Sequence, residues 1–365
     1  MQIFYDGYIY KIQGIGGVAR YFSNLISQLP PNYKPALAVN QNPAAIYPSH
    51  PNLKIFQYNY LGLQPSRISA WFEPYYFQWF TQHNQVDLWH LTYYQILTQT
   101  PLKRIKCPWV ITIHDMIHEL FSKQIDPDGK QAAAKKEAIL GCDAIFCVSE
   151  NTKRDLLHYY PSVADKVFVT YLGAENPAQS SFDSQDFVTT ESYYLYVGGR
   201  WFYKNFGGLI TAFAKVSTLL PNVKLYVVGQ AFNQEEHKQI AELNLTDKIT
   251  VFSQITDRDL AALYRNSLAL VYPSLYEGFG LPPLEAMVNG TPVITSKCSS
   301  IPEVVGDAGI LIDPRSSHDL AEALLLIYNH PLERERLRAQ GYKRAKLFSW
   351  ERLTEKTLKV YKSLV

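Results

Sequence analysis

Short apolar runs rich in β-branched and aromatic residues alternate with helical segments along the chain, and this alternation limits the fold more than any other feature. Ile3–Tyr5, Ala36–Val39, Leu53–Phe56, Asp87–Leu91, Trp109–Ile113, Ala144–Val148 and Val167–Tyr171 read as strands in the first half. Tyr193–Val197, Val223–Gly229, Ile249–Ser253, Leu268–Tyr272, Pro292–Thr295 and Gly309–Ile312 follow in the second. Such runs suit parallel strands buried on both faces. Segments between them carry helical spacing, as in Val18, Phe22, Leu25, Ile26 and Leu29. The pattern predicts α/β architecture with parallel sheets.

At 365 residues the chain is too long for one ordinary core. Two domains of about 150–180 residues are expected, with Gly173 to Thr190, which holds Pro, Ser, Asn and Asp, as the linker. A net charge of +2 and the lack of a long Lys/Arg run argue against a nucleic-acid partner. The 26 tyrosines suit either carbohydrate-lining surfaces or plain core and surface filling. Residues 67–83 read as a helix crowded with Trp71, Phe72, Tyr75, Tyr76, Phe77, Trp79 and Phe80. Core is the first expectation there, and a surface for an acceptor or a membrane interface is the alternative. Cys107, Cys142, Cys147 and Cys298 show neither metal spacing nor a disulfide framework, so Cys142 and Cys147 read as core and a reducing cytoplasm fits. Met1–Asp6 lacks a basic segment and an apolar stretch, so no signal peptide is expected. No window approaches ~18 uninterrupted apolar residues. The chain is expected to be soluble, or at most peripheral to a membrane.

The most informative stretch is Tyr276-Glu-Gly-Phe-Gly-Leu-Pro-Pro-Leu-Glu-Ala286. It follows an apolar strand and opens a helix in which Pro282 and Pro283 suit the first turn. Gly278 and Gly280 let the backbone turn sharply and approach a ligand. A helix start favours an anion such as phosphate. Glu277 and Glu285 flank it, although a carboxylate beside a phosphate is repelled by roughly 4 kcal/mol at about 4 Å. Accepting hydrogen bonds from hydroxyls is their natural role. Phosphate together with hydroxyls describes a nucleotide sugar. Arg200 and Lys204 follow the strand Tyr193–Val197 and form either a diphosphate clamp or solvated surface. Gly16 and Gly17 begin a helix, where they either approach a phosphate or make a tight strand–helix turn. His114 and Asp115 end a strand, the end at which parallel sheets bind ligands; a local hydrogen-bonding role is the alternative for His114. His118 and Glu119 could be grouped with His114 as metal ligands, but a loop offers no rigid ligand set, and metal is disfavoured.

With these residues in view, the chain resembles glycosyltransferase family 4, retaining enzymes of the GT-B fold. The resemblance covers nearly the whole length. It rests on Glu277-Gly-Phe-Gly-Leu-Pro-Pro-Leu-Glu285, Arg200 with Lys204, Gly16-Gly17, Thr112-Ile-His114-Asp115, and Phe348-Ser-Trp350 before the last helix. It implies two Rossmann-like domains with parallel sheets facing across a cleft. Residues 1–173 would be the acceptor domain, 174–190 the linker and 191–347 the nucleotide-sugar donor domain, with 348–365 a helix crossing back to the first domain. By the same resemblance Glu277 would bind hydroxyls of the donor sugar and Glu285 those of the ribose. Phe279, Gly280 and Leu281 would offer backbone N–H groups, and Arg200 and Lys204 would neutralise the departing diphosphate. Gly17, with Gly16, would approach the phosphates or the acceptor, and His114 would touch the donor sugar. One departure concerns spacing: many members place the lysine five residues after the arginine, whereas Lys204 follows Arg200 by four.

The expected reaction transfers a hexosyl group from a nucleotide diphosphate sugar to a glycan or lipid-linked glycan hydroxyl, with retention and without metal or other cofactor. Gly16-Gly-Val-Ala-Arg-Tyr-Phe22 is similar to bacterial members that build surface polysaccharide or lipopolysaccharide, which favours mannose from GDP-mannose. The location expected is the cytoplasm, with the inner membrane face open as a site of association. A nucleotide-sugar epimerase of the same fold and a non-catalytic nucleotide-sugar-binding protein are the rivals. An NAD-dependent oxidoreductase is disfavoured because the three-glycine fingerprint and its downstream acid are missing.

Overall fold

Parallel pairing runs through both sheets of the computed structural model, which describes residues 1–14, 16–40, 45–58, 86–97, 101–174 and 191–365. The aromatic segment 67–83 and residues 175–190 of the expected linker lie outside the described residues. The first sheet contains β1 (Gln2–Asp6), β2 (Lys34–Asn40), β3 (Lys54–Tyr58), β4 (Leu88–Leu91), β5 (Trp109–Ile113), β6 (Ala144–Cys147) and β7 (Val167–Val169). The second contains β8 (Tyr193–Val197), β9 (Lys224–Val228), β10 (Ile249–Phe252), β11 (Ala269–Tyr272), β12 (Val293–Ser296) and β13 (Gly309–Ile312). Each expected strand is present, with ends shifted by a residue or two. Their order is β3-β2-β1-β4-β5-β6-β7 in the first sheet and β10-β9-β8-β11-β12-β13 in the second. Each order reverses direction once, between β1 and β4 and between β8 and β11. In open parallel sheets, the carboxyl ends of the strands at such a reversal form the natural crevice for a ligand.

The chain divides into two compact units, Met1–Leu172 with Trp350–Val365, and Gly173–Ser349. In the first core, Leu91, Ile111 and Ile145 pack with Ile139, Leu156, Cys142 and Cys147, so both cysteines are core residues. In the second, Tyr194, Leu225, Val271 and Ile294 pack with Leu209, Phe213 and Leu324. Central strands β4, β5, β6, β8, β11 and β12 are buried at every position, which is why their sequences are apolar runs. No helix among the described residues is long and apolar enough to cross a membrane.

The last helix, Trp350–Leu364, belongs to the first unit. Its apolar stripe of Trp350, Leu353, Leu358 and Tyr361 is buried, and the helix packs beside helix Gly17–Ser27. A polar chain fastens it. Tyr361 Oη lies 2.5 Å from His90 Nδ1, and His90 Nε2 lies 2.9 Å from Thr112 Oγ1. Thr112 in turn donates to Tyr21 Oη at 3.0 Å. Thr112 can then accept only from a protonated Nε2, which leaves Nδ1 to accept from Tyr361. Burial pushes His90 down to about 3, in keeping with that neutral ring.

Candidate active site

The Glu277 loop leaves β11 at the reversal point of the second sheet. Gly280 caps the following helix, Leu281–Val288, with φ +105°, and a Cβ there would come within 2.6 Å of Ile301 Cδ1. The positive φ is what requires glycine, since the Ile301 methyl could move aside. Pro282 and Pro283 carry no N–H, so the backbone donors at this helix start come from loop residues up to Leu281. Two serines from β12's far end fix the loop. Glu277 N–H donates to Ser299 Oγ at 3.0 Å, and Ser300 Oγ lies 2.9 Å from both the Glu277 and the Phe279 carbonyl oxygens. Ser299–Val305 reads in sequence as a capped helix. In the structure the helix is Ile301–Val305 and Ser300 makes no side-chain cap bond, because its hydroxyl serves the loop.

Lys204 arrives from the neighbouring strand, β8. A 3-10 turn, Phe202–Lys204, ends at Asn205 with φ +58°. The Asn205 amide donates to the carbonyls of Pro273 (3.1 Å) and Pro314 (2.6 Å), and Leu275 N–H donates to Tyr203 O at 2.7 Å. The β8 loop is thereby docked on the β11 loop. Lys204 Nζ consequently sits 2.8 Å from both Glu277 oxygens and 3.2 Å from Tyr272 Oη. Rings of Tyr203 and Tyr272 lie 5.3 and 5.6 Å from the ammonium. Burial opposes the Lys204 charge most strongly, but Glu277 beside it, together with the phenols of Tyr203 and Tyr196, raises its pKa overall. Burial, with Glu277 adding to it, pushes Tyr272 well above the usual phenol range, so it remains a neutral hydroxyl.

Arg200 takes a different partner. Its Nε and Nη2 donate to Glu236 at 2.6 and 3.1 Å, so the two expected clamp residues each hold a carboxylate of their own. Burial works against the Glu236 charge, but Arg200 and the Asn233 N–H hold it below the usual carboxylate range. Glu285 lies on the helix after the loop, where Tyr264 Oη donates to it at 3.1 Å. Phe279 is buried against Phe348, with ring centroids 5.9 Å apart.

The remaining candidates belong to the first unit. Gly16 caps helix Gly17–Ser27, and Gly17 has open space where a Cβ would point. His114 follows β5, its ring edge-on to Tyr21 at 5.1 Å and to Phe22 at 6.2 Å. Its buried Nε2 has no hydrogen-bond partner among the described residues. Burial, opposed by Asp115 and aided by Lys135, lowers His114 to about 4. Asp115 accepts from Ile117 N–H at 3.2 Å, and Glu119 is paired with the fully buried Lys135 at 2.8 Å. At the reversal point of the first sheet, Asp6 ends β1 and accepts N–H bonds from Tyr8 (3.2 Å) and Leu97 (3.1 Å). Burial raises Asp6 to about 7. A recess of about 320 Å³ opens beside it, lined by Tyr8, Lys11, Tyr94, Gln95 and Glu137 among others.

Sequence reasoning missed Tyr272, Ser299, Ser300, Glu236 and Asp6. Only Glu236 carried a local signal, the Asn233-x-x-Glu236 capping spacing.

Two parallel sheets, each with one order reversal, fit the GT-B class of fold, and solved structures of that class superpose on the chain. Sucrose-phosphate synthase from Thermosynechococcus elongatus matches with a TM-score of 0.79 at 22% identity, over 100% of this chain and 98% of that one. WaaG, a glycosyltransferase involved in lipopolysaccharide biosynthesis, matches with a TM-score of 0.74 at 16% identity, over 99% of each chain. The family model for Glycosyltransferase Family 4 matches residues 15–175 and that for Glycosyl transferases group 1 matches residues 178–344, and the chain belongs to glycosyltransferase family 4. In sequence it is 33% identical over 242 residues to O-antigen chain mannosyltransferase B of Escherichia coli, covering 62% of each chain. It is 29% identical over 224 residues to O-antigen chain mannosyltransferase RfbU of Salmonella typhimurium, covering 60% of this chain and 61% of that one. The matched region is thus less than two thirds of the length of these curated relatives.

Proposed function

We propose that the protein is a retaining hexosyltransferase, moving mannose from GDP-mannose to a glycan or lipid-linked glycan hydroxyl in surface polysaccharide synthesis. The observation that carries the reading is the Lys204–Glu277 pair, 2.8 Å at both oxygens, at the reversal point of the second sheet. It holds an anion-binding cation and a hydroxyl-binding carboxylate side by side, the two chemistries a nucleotide sugar requires. Similarity to two O-antigen mannosyltransferases favours mannose.

Donor hydroxyls would take over the Glu277 oxygens and release Lys204 toward the diphosphate. Arg200 and the N–H groups of Phe279, Gly280 and Leu281 would add fixed positive character there, and Glu285 would hold the ribose. The sugar C1–O bond to the diphosphate then breaks as a C1–O bond to the acceptor forms on the same face. The acceptor proton passes to the departing phosphate oxygen. No metal is required where this preorganised charge stabilises the leaving group. The neutral Nε2 of His114 would hydrogen-bond the donor sugar, with Gly16 and Gly17 approaching phosphate or acceptor. The acceptor is assigned to the first unit, where the recess of Tyr8, Tyr94, Gln95 and Glu137 offers aromatic and polar contacts together. The cytoplasm, at the inner face of the membrane, is the location this donor chemistry favours.

The test is a panel of GDP-, UDP-, ADP- and TDP-sugars offered with a membrane glycolipid extract, products being read by NMR. Transfer from GDP-mannose with the α-configuration retained is expected, and Glu277→Ala should lower turnover at least about 100-fold. Full transfer by that variant would remove Glu277 from its role. Release of an epimer without acceptor would point to an epimerase, and binding without turnover to a non-catalytic protein.

A further inference from the structure

Arg200 occupies a seat built largely by one glutamate, and that glutamate also starts a helix. Helix Gln234–Glu242 opens with a capping box: Glu236 N–H donates to Asn233 Oδ1 at 2.9 Å, and Asn233 N–H donates back to Glu236 Oε2 at 2.8 Å. The same carboxylate receives Arg200 Nε on Oε1 (2.6 Å) and Arg200 Nη2 on Oε2 (3.1 Å). Nη2 also donates to the Ala231 carbonyl at 2.9 Å. Phe232 and Phe206 lie 4.9 and 5.7 Å from the guanidinium carbon. Two-point bonding fixes the plane of the fork and the rings restrict its tilt. The third nitrogen, Nη1, lies beside Gly229, where a Cβ would come within 3.2 Å of it and 2.7 Å of Gly198 O. Gly198 directly follows β8, the strand that leads into the Arg200 loop. With 7% side-chain exposure, Arg200 is not a surface charge free to swing.

We infer that Glu236 is a positioning residue of the donor site: by engaging Nε and Nη2 it aims Nη1 of Arg200 at the distal phosphate of a nucleoside diphosphate. This rests on the donor-site reading above and adds a residue to it. Glu236 does not touch the ligand, and it acts through Arg200. Its negative charge would by itself repel the diphosphate. Orientation and charge therefore predict opposite signs when the charge is removed, which makes the inference testable.

Isothermal titration of wild type, Glu236→Gln, Asn233→Ala, Arg200→Lys and the Arg200→Lys/Glu236→Gln double variant, with GDP and GMP and with UDP and UMP, separates the cases. Glu236→Gln should weaken the diphosphate about tenfold, as expected for a misaligned charge-assisted bond, and leave the monophosphate within about twofold. Asn233→Ala removes a helix cap but no Arg200 contact, and should change neither. Arg200→Lys keeps the charge without the fork; it should match Glu236→Gln, and the double variant should be no weaker than Arg200→Lys alone. Unchanged or tighter diphosphate binding in Glu236→Gln would overturn the inference, as would equal losses in Glu236→Gln and Asn233→Ala. If wild type binds neither diphosphate, the donor-site reading fails and the inference falls with it. If Glu236→Gln does not fold, loss of diphosphate selectivity in Arg200→Lys decides the role of the fork, and retained selectivity overturns it.

Discussion

Lys204 and Glu277 neutralise each other within a partly buried site, with side-chain exposures of 17% and 9%. Removing one partner strands the other charge, at a cost of about 3–5 kcal/mol in buried settings. Loss of activity in a single variant therefore has to be separated from loss of fold. His114 permits a cleaner measurement. Its pKa is lowered from 6.5 to about 4 in the folded protein, so the unfolded chain binds the extra proton between those values. Stability attached to the neutral ring is intact above pH 6.5 and is lost as pH falls toward 4. His114→Phe keeps edge-on packing with Tyr21 and Phe22 and has no proton to bind. In urea unfolding of the first unit, wild type should lose up to about 1.4 kcal/mol more than the variant for each pH unit between 6.5 and about 4, and no more below that. A difference independent of pH would show that His114 is not buried as a neutral ring.

At the scale of elements, the site depends on a contact between the Glu277 loop and the segment after β12. Ser300 reaches two loop carbonyls with one hydroxyl, and Ser299 adopts φ +53°, an uncommon conformation for serine, while accepting from Glu277 N–H. Ser300→Ala leaves both carbonyls without that donor in a buried setting. It should cost about 1–3 kcal/mol of stability in the second unit, and should raise the donor KM with less effect on kcat. Unaltered melting and an unaltered donor KM would show that the serine does not hold the loop. The loop's turn and helix start are legible in Gly278, Gly280, Pro282 and Pro283, because glycine and proline act on their own backbone. The serine clamp was not legible: Ser299 lies 22 residues from Glu277, and serine before Ile-Pro is equally good helix-cap chemistry.

At the scale of the molecule, the last helix completes the unit that the first residues begin. Trp350, Leu353, Leu358 and Tyr361 are buried there, each contributing about 1.5–3 kcal/mol by burial, against a typical domain stability of about 5–15 kcal/mol. Tyr361 also closes the chain through His90 and Thr112 to Tyr21. Deleting Trp350–Val365 should abolish protection of the first unit's amides in peptide-resolved hydrogen exchange, while the second unit keeps its own. Equal loss in both units, or loss in neither, would contradict the division of the chain into these two bodies.

The sequence by itself determined the strands, the α/β class and the shape of the Glu277 loop, since apolar runs and glycine–proline spacing act over a few residues. It also marked Lys204, Arg200, Glu277 and His114 as strand-end residues. Tertiary structure alone decided their partners. Lys204 meets Glu277 across 73 residues because β8 and β11 are neighbours, and Arg200 meets Glu236 across 36 because the helix after β9 starts beside it. Sheet order sets those pairings, and sheet order follows from how whole elements bury their faces against one another, which no local spacing records.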